Sequence, residues 1–266
     1  MNAGVIELQH APPLMPRGLL GAPTPIPRID SRPSGFDPQS ISGLALWFDA
    51  TEASTIVAQG DGSVSEWRSR VGGFTSSDIE SSRRPVRVSS AINGRPALLF
   101  DGLNDRLQTN YSASRLTGFV TYAAAVLPSS RVFTNSFPAV ICARASGLAS
   151  GLLVNPDTKR WAVIHRAGLY TSTAGSVATQ TPTRVVATFS PTLLRIRVNG
   201  RIGREAVTSI AGSQQNGTFV IGHDTDTTTR HWHGMIGEIL VWSRTLTEIE
   251  LDQVDSYLAS KWAIGS

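Results

Sequence analysis

Short runs of alternating hydrophobic and polar residues, separated by turn sequences, fill the chain from about residue 41 onward. In the first run, Leu44, Leu46 and Phe48 alternate with their neighbours, so the pattern predicts a β-strand with these three side chains on one face. Similar runs predict strands at Val64–Arg68, Pro96–Phe100, Phe119–Leu127, Ala139–Ala143, Gly151–Val154, Trp161–His165, Arg184–Phe189, Leu193–Val198, Thr218–Ile221 and Met235–Trp242. Many short strands at intervals of about 8–12 residues are typical of an all-β sandwich or barrel.

One turn sequence, Asn199-Gly200, predicts a β-hairpin, because both residues tolerate the positive φ of a tight two-residue turn. The register of this hairpin has two solutions. A two-residue loop places Ile202 on the same face as Arg197, whereas a bulged loop separates them.

The last twenty residues predict one α-helix. Thr247 and Glu250 have the spacing of a capping box, in which each side chain satisfies a backbone N–H of the first turn. An apolar stripe at helical spacing follows, formed by Leu251, Val254, Leu258 and Trp262. We expect this helix to pack on the sandwich and close one of its edges.

Residues 1–40 differ from the rest because they hold eight of the 15 prolines. Proline fixes φ and donates no backbone hydrogen bond, so this segment is predicted to be an extended arm. The arm also carries more large apolar side chains than a solvated linker needs, namely Val5, Ile6, Leu8, Leu14, Met15, Leu19, Leu20, Ile26 and Ile29. We therefore expect it to bind neighbouring subunits or the chain's own domain, which spans residues 41–266.

Composition excludes several classes of partner. Hydrophobic residues make up 41% and charged residues 17% of the chain, which is enough apolar material for a core. The net charge of +4 is spread along the chain, and its densest cluster, Arg83, Arg84 and Arg87, is predicted to be an exposed loop, so nucleic acid is not an expected partner. The single cysteine, Cys142, lies in an apolar run and is predicted to be a buried thiol.

No targeting segment is visible in the sequence. The N-terminus lacks the basic and apolar regions of a signal peptide, and no apolar run approaches the length of a membrane span. We expect a protein made in a cytoplasm, with no membrane partner.

Several motifs together resemble the laminin-G-like, concanavalin A-like jelly-roll domains found in phage and bacterial proteins. They are Gly43–Ala50, Val64–Arg68, Asn93–Asp105, Val198–Gly200, Trp232–Trp242 and the tail from Arg244 to Trp262. The resemblance covers residues 41–264 and implies a two-sheet antiparallel jelly-roll sandwich. Such domains are mostly binding and structural scaffolds, and fold alone does not settle function.

Catalysis is not expected. The related laminarinase-type glucanases carry Glu-x-Asp-x-x-Glu on one strand, where the period of two places the carboxylates on one face. This chain has no such segment: Asp78 and Glu80 are followed by serines, and Glu248 and Glu250 belong to the helix start. Motifs of nucleophilic hydrolases, zinc proteases and phosphate-binding loops are also missing from the sequence. We predict no catalytic residues and no required cofactor.

The richest polar segment runs from residue 223 to residue 233. A ligand site is predicted here, with Asp224, Asp226, His231, Trp232 and His233 as its residues. Tyr170 is a weaker second candidate for ligand contact, outside this segment. Two alternatives stay open: a polar loop that merely enters a strand, and a metal site with Asp or His ligands. Trp232 is predicted to be the exposed tryptophan that stacks on sugars, and the other five are predicted to be core.

Calcium is a second possibility at the turn that contains Asp101, Asn104 and Asp105, because some relatives bind it. The simpler interpretation is hydrogen bonding from these side chains to the turn backbone. No metal site is predicted with named ligands.

Two functions follow from these observations. The first is a non-catalytic phage virion protein, a capsid decoration or tail component, which its arm anchors to other virion proteins or to further copies in a homo-oligomer. The second is a lectin module that recognises a surface glycan through the segment around Trp232. The two are compatible, because a virion protein can also bind sugars.

Overall fold

A computed structural model describes residues 35–116, 118–145, 148–166, 168–206, 217–225 and 228–265. The predicted arm residues from Val5 to Ile29 lie outside the described residues. The described part belongs to one compact unit, Arg32–Ser266.

Two antiparallel sheets form the domain. The strands are β1 (Leu44–Asp49), β2 (Ile56–Ala58), β3 (Val64–Arg68), β4 (Thr75–Ser77), β5 (Val86–Ile92), β6 (Arg95–Asp101), β7 (Leu107–Ser112), β8 (Thr121–Pro128), β9 (Ala139–Ala145), β10 (Leu148–Asn155), β11 (Arg160–Arg166), β12 (Gly168–Ser176), β13 (Thr183–Phe189), β14 (Leu193–Val198), β15 (Arg201–Ala206), β16 (Thr218–Ile221) and β17 (His233–Trp242). Sheet A has the order β15-β14-β13-β8-β17-β6-β5, with β1 also paired to β17. Sheet B has the order β12-β11-β10-β9-β16-β7-β4-β3-β2. This is the predicted jelly-roll sandwich.

Helices are short apart from one at the C-terminus. Single 3-10 turns lie at Pro38–Ser40, Ala53–Thr55, Ser81–Arg83, Ala113–Arg115 and Val132–Thr134, and α1 spans Glu248–Trp262. Within the described ranges, no helix has the length and apolar character needed to cross a bilayer.

The main core lies between the two sheets. Its large side chains include Phe48, Trp67, Phe100, Tyr122 and Trp161, all with at most 1% of their surface exposed. Cys142 is also buried, on the outer side of sheet B, as the sequence predicted. Burial on this scale is the dominant favourable contribution to folding.

The first strand departs from its predicted pattern. Leu46 and Phe48 face the core between the sheets, but Leu44 packs on the opposite side of sheet A with Trp47. A register shift between Leu44 and Leu46 in the pairing with β17 explains the difference. An extra residue in one strand reverses the side on which the preceding side chain lies.

The hairpin between β14 and β15 has the two-residue loop. Val198 pairs with Arg201 and Arg197 with Ile202, so the bulged alternative is wrong. Asn199 and Gly200 have φ values of 48° and 83°, the left-handed conformations that such a turn requires.

Helix α1 covers the outer face of sheet A, so the prediction that it closes an edge is wrong. Leu251, Val254, Leu258 and Trp262 are buried in a second core with sheet residues such as Trp242. The capping box is present: the Thr247 hydroxyl accepts the Glu250 N–H, and the Glu250 carboxylate accepts the Thr247 N–H. The predicted helix and its apolar stripe are therefore confirmed.

The cluster of arginines near residue 84 is not a free loop. Arg83 ends a 3-10 turn and pairs with Glu80, and Arg84 donates to the carbonyl oxygens of Asp78 and Ile79. Arg87 lies in β5, half-buried. Arg83 and Arg84 therefore take part in local contacts with the segment from Asp78 to Glu80.

Candidate functional site

The predicted ligand segment is largely buried. His223 and His231 face each other across a β-bridge, and their rings are stacked with centroids 3.8 Å apart and planes 1° apart. Burial, together with the charge of His223, lowers the pKa of His231 to about 4. The His231 imidazole therefore stays neutral near pH 7, and the bridge between the two residues joins the two ends of a loop.

Asp224 lies beside this pair and is fully buried. The Arg144 guanidinium donates to both of its carboxylate oxygens at 2.5 and 2.7 Å, and Arg230 donates at 2.8 Å. Although burial alone raises a carboxyl pKa, these hydrogen bonds hold the pKa of Asp224 below its usual value. Because two guanidinium groups use its oxygens, Asp224 holds the loop to β9 instead of presenting a ligand.

Trp232 is not exposed, so its prediction as a sugar platform is wrong. Its ring is fully buried and stacks on Trp161 at 5.9 Å between centroids. His233 is half-buried and lies against Gly102. Asp226 lies outside the described residues, as does the side chain of Tyr170, whose backbone pairs with Val163. Of the predicted residues that the structure describes in this segment, Asp224, His231 and Trp232 are buried and His233 is half-buried.

The turn after β6 has the simpler of its two predicted roles. One Asp101 oxygen accepts the backbone N–H groups of Leu103, Asn104 and Asp105, and the Asp105 carboxylate accepts the Asp101 N–H. Burial raises the pKa of Asp105 to about 6 despite that hydrogen bond, and the Asp101 charge adds to the increase. Across the part of the chain that the structure describes, no three His, Cys, Asp or Glu side chains form a metal-binding group.

A different site lies on the outer side of sheet A, next to α1. It is a cleft with a volume of about 340 Å³. Its walls come from the segment before β1, from β1 and the loop after it, from the loop after β3, and from α1. The lining residues are Phe36, Asp37, Pro38, Trp47, Asp49, Thr51, Glu52, Arg70, Tyr257 and Lys261. We call it the α1 cleft.

Glu238 is fully buried beneath the α1 cleft and accepts four hydrogen bonds. Trp47 Nε1, the Tyr257 hydroxyl and Lys261 Nζ donate to Oε1 at 2.7, 2.8 and 2.9 Å, and Trp262 Nε1 donates to Oε2 at 2.6 Å. A buried carboxylate is stable only when its charge and lone pairs are satisfied. These donors lie on β1 and α1, so Glu238 fixes the helix to the sheet.

Asp49 is the second buried carboxylate at the α1 cleft. It is the cross-strand partner of Glu238. Lys261 Nζ and Arg70 Nη1 donate to its Oδ2 at 2.7 and 2.9 Å, and the Thr51 hydroxyl donates to Oδ1 at 2.6 Å. Burial opposes ionisation, but the charge and hydrogen bond of Lys261 outweigh it and lower the pKa of Asp49. Hydrogen bonds from several directions hold both carboxylates in fixed positions.

Aromatic rings complete the α1 cleft. The Arg70 guanidinium lies 3.8 Å from the centre of the Trp47 ring, in a cation–π contact. Phe36 and Tyr257, both half-buried, have ring centroids 5.9 Å apart. The α1 cleft therefore combines aromatic surface with preorganised donors and acceptors.

Sequence reasoning missed the α1 cleft because its residues are far apart in the chain. Asp49 and Glu238 are separated by nearly the whole domain and meet only through the pairing of β1 with β17. The one signal in the sequence is the polar side chain within an apolar run, Glu238 between Gly237 and Ile239. A charged residue in a core strand demands a partner, but the sequence does not name Lys261 as that partner.

Comparison with known families gives the class of protein. The model of the concanavalin A-like lectin/glucanases superfamily matches residues 101–252, more than half of the chain. This chain belongs to that superfamily. None of the curated proteins matches the sequence.

Solved structures share the fold at low identity. Trypanosoma rangeli sialidase in complex with the inhibitor DANA is 16% identical with a TM-score of 0.57, over 87% of this chain and 36% of the sialidase chain. Domain 4 of AbnA, a GH43 extracellular arabinanase from Geobacillus stearothermophilus, was solved with arabinotriose. It is 12% identical with a TM-score of 0.53, over 80% of this chain and 98% of that domain. The chain thus spans about a third of the sialidase structures and nearly all of the arabinanase domain.

Proposed function

We propose that this protein is a non-catalytic carbohydrate-binding module and that the α1 cleft is its ligand site. The observation that carries the proposal is the convergence of half-buried aromatic rings with ion-paired polar groups in one cleft of about 340 Å³. Small-ligand sites typically combine apolar surface with a few polar groups in fixed positions. Saccharides, with apolar ring faces and many hydroxyl groups, fit this combination.

The rigidity of the polar groups supports binding. Arg70, Asp49 and Lys261 are joined by ion pairs of 2.7–2.9 Å, so a ligand would not have to order them. Preorganised sites lose less conformational entropy on binding. Membership of a lectin/glucanase superfamily agrees with this function, as does the likeness to an arabinanase domain solved with arabinotriose.

The state of the two buried carboxylates supports a non-catalytic role. A glycosidase needs one carboxyl group to give a proton and the other to attack or to activate water. Glu238 instead accepts four hydrogen bonds with no exposed surface, and Asp49 is paired with two cations. We expect no reducing sugar to be released from β-glucans. Release that depends on Asp49 or Glu238 would overturn this part of the proposal.

Glycan-array screening of the full chain, followed by calorimetry on the strongest ligand, tests the proposed site. Phe36→Ala removes a half-buried ring from the α1 cleft and should weaken binding about tenfold, because an aromatic contact contributes on the order of 1 kcal/mol beyond its buried area. Leu103→Ala, a substitution of an exposed side chain after β6, is the matched control and should bind as the unmodified chain does. Equal affinities for both variants would place the ligand elsewhere.

A second proposed function concerns the arm. We propose that the arm of residues 1–40 anchors the domain to neighbouring subunits of a phage particle through its first 34 residues, as the proline-rich and apolar sequence of this segment favours. Support also comes from the residues that follow it: Pro38 and Ile41 are buried, and Phe36 lies against Tyr257. An arm that continues from a fixed point loses less freedom when its far end is captured.

Light scattering coupled to size-exclusion chromatography tests the arm. The full chain and a chain of residues 35–266, which keeps the packed segment from Phe36 to Ile41, should differ in oligomeric state. Oligomers that become monomers on truncation would support self-assembly through the arm. If both chains are monomeric, self-assembly through the arm is overturned. Co-purification of each chain with phage particles would then test whether the arm binds another virion protein.

A further inference from the structure

We propose that the preferred ligand of the α1 cleft is an amino sugar, a saccharide that carries a protonated amine. This inference rests on the proposed carbohydrate-binding function and goes further by naming the ligand class.

Carboxylates outnumber cations at the α1 cleft. Asp37, Asp49 and Glu52 line it, with Glu238 directly beneath, whereas its cations are Arg70 and Lys261. Among the residues that the structure describes, four carboxylates therefore face two cations at the cleft, although the whole chain has a net charge of +4. A local field of this sign attracts cationic ligands and disfavours acidic ones.

Both cations form their hydrogen-bonded ion pairs with the inner carboxylates, and the Arg70 charge also acts on Glu52 without an ion-pair contact. Lys261 is bonded to Asp49 and Glu238, and Arg70 is bonded to Asp49. Asp37 and Glu52 are left at the rim. Asp37 accepts hydrogen bonds from Gln39, Glu52 accepts one from Ser54, and neither makes an ion pair with any part of the chain that the structure describes. These two carboxylates are the groups that a ligand ammonium would meet.

The α1 cleft already binds one ammonium group, that of Lys261. Its Nζ lies 5.3, 5.8 and 5.9 Å from the ring centres of Tyr257, Trp262 and Trp47 and contacts two carboxylates. Aromatic faces and carboxylates together form a favourable environment for a cation. The rings of Phe36 and Tyr257 and the carboxylates of Asp37 and Glu52 also line this cleft, so it offers the same two kinds of group to a ligand. A second ammonium group, supplied by a sugar, would meet the same chemistry.

Calorimetry of the full chain with a matched pair of ligands tests the inference. The pair is a glucosamine oligosaccharide and the N-acetylglucosamine oligosaccharide of equal length, at a pH where the amine is protonated and at low ionic strength. We expect the amine form to bind about fivefold more tightly, in line with a half-exposed ion pair. Glu52→Gln should remove the preference. Asp157→Asn, an equal change of charge in the exposed turn between β10 and β11, should retain it.

The outcomes separate this inference from the function on which it rests. If both oligosaccharides bind with equal affinity and Phe36→Ala weakens both, the amino-sugar inference fails while the carbohydrate-binding function stands. A preference that survives in Glu52→Gln, or disappears equally in Asp157→Asn, reflects general charge attraction and also overturns the inference. If neither these oligosaccharides nor any array glycan binds, the proposed function fails as well.

Discussion

Two buried titratable residues, His231 and Asp105, make the free energy of unfolding depend on pH. The pKa of His231 is about 4 when folded and about 6.5 when unfolded, so its contribution to stability is lost as the pH falls from 6.5 to 4. The pKa of Asp105 is raised from 3.8 to about 6, so its destabilising contribution is complete above pH 6 and disappears as the pH falls to 3.8. The two effects oppose each other between pH 4 and 6.

The substitution Asp105→Asn should separate the effect of Asp105 on stability from that of His231. The amide keeps an acceptor for the Asp101 N–H but removes the cost of a buried negative charge, so the variant should be more stable at pH 7 by about 3 kcal/mol. The gain should vanish at pH 4, where Asp105 is already protonated in the folded protein. Urea unfolding at the two pH values measures both quantities. A gain that is equal at pH 7 and pH 4 would contradict the assigned pKa increase.

The chain's two lysines offer a matched pair for the buried network. Lys261→Met leaves the carboxylates of Asp49 and Glu238 buried without their shared cation, so we expect a loss of about 3–5 kcal/mol in the free energy of unfolding. Lys159 is exposed in the turn between β10 and β11, and Lys159→Met should change stability by less than about 0.5 kcal/mol. Denaturant titration measures the free energy of unfolding of both variants. Similar losses in the two would contradict a stabilising role for the buried ion pairs of Lys261.

At the scale of elements, the absence of a side chain at Gly237 allows α1 to lie close to sheet A. A Cβ atom at Gly237 in β17 would lie 2.4 Å from the Trp262 ring, well inside van der Waals contact. Gly237→Ala should therefore push the helix from the sheet and lower stability by about 1–3 kcal/mol or more. At Gly60 no heavy atom lies within 4 Å of the added carbon, so Gly60→Ala is the control. Thermal denaturation should show a lower midpoint for the first variant alone.

Elements with strong local signals were predictable from the sequence. The capping box of α1, the bounds of β14 and the Asn199-Gly200 hairpin follow from nearest-neighbour chemistry, and the structure has them as predicted. The short or polar strands β2, β4 and β7 were missed, because their sequences have little hydrophobic alternation. The placement of α1 on a sheet face was also missed, since an apolar stripe shows that a helix packs but not on what.

At the scale of the whole molecule, the jelly-roll sandwich was predictable and the candidate site was not. The predicted segment around Trp232 is polar because Asp224 and His231 join loops inside the fold, with partners such as Arg144 that lie far away in sequence. The α1 cleft exists only after β1, β17 and α1 have been brought together. Local patterns report strands and turns, whereas a site formed by several elements requires the register between them.

The central claim, that the α1 cleft binds carbohydrate, is tested most directly by proton–nitrogen NMR of the full chain titrated with its strongest array glycan. The indole N–H groups of Trp47 and Trp262 both donate to Glu238 at the floor of the cleft, so their resonances should shift with saturation. The indoles of Trp161 and Trp232, stacked in the core, should stay in place. Saturable binding that moves Trp161 or Trp232 and leaves Trp47 and Trp262 unchanged would contradict the account.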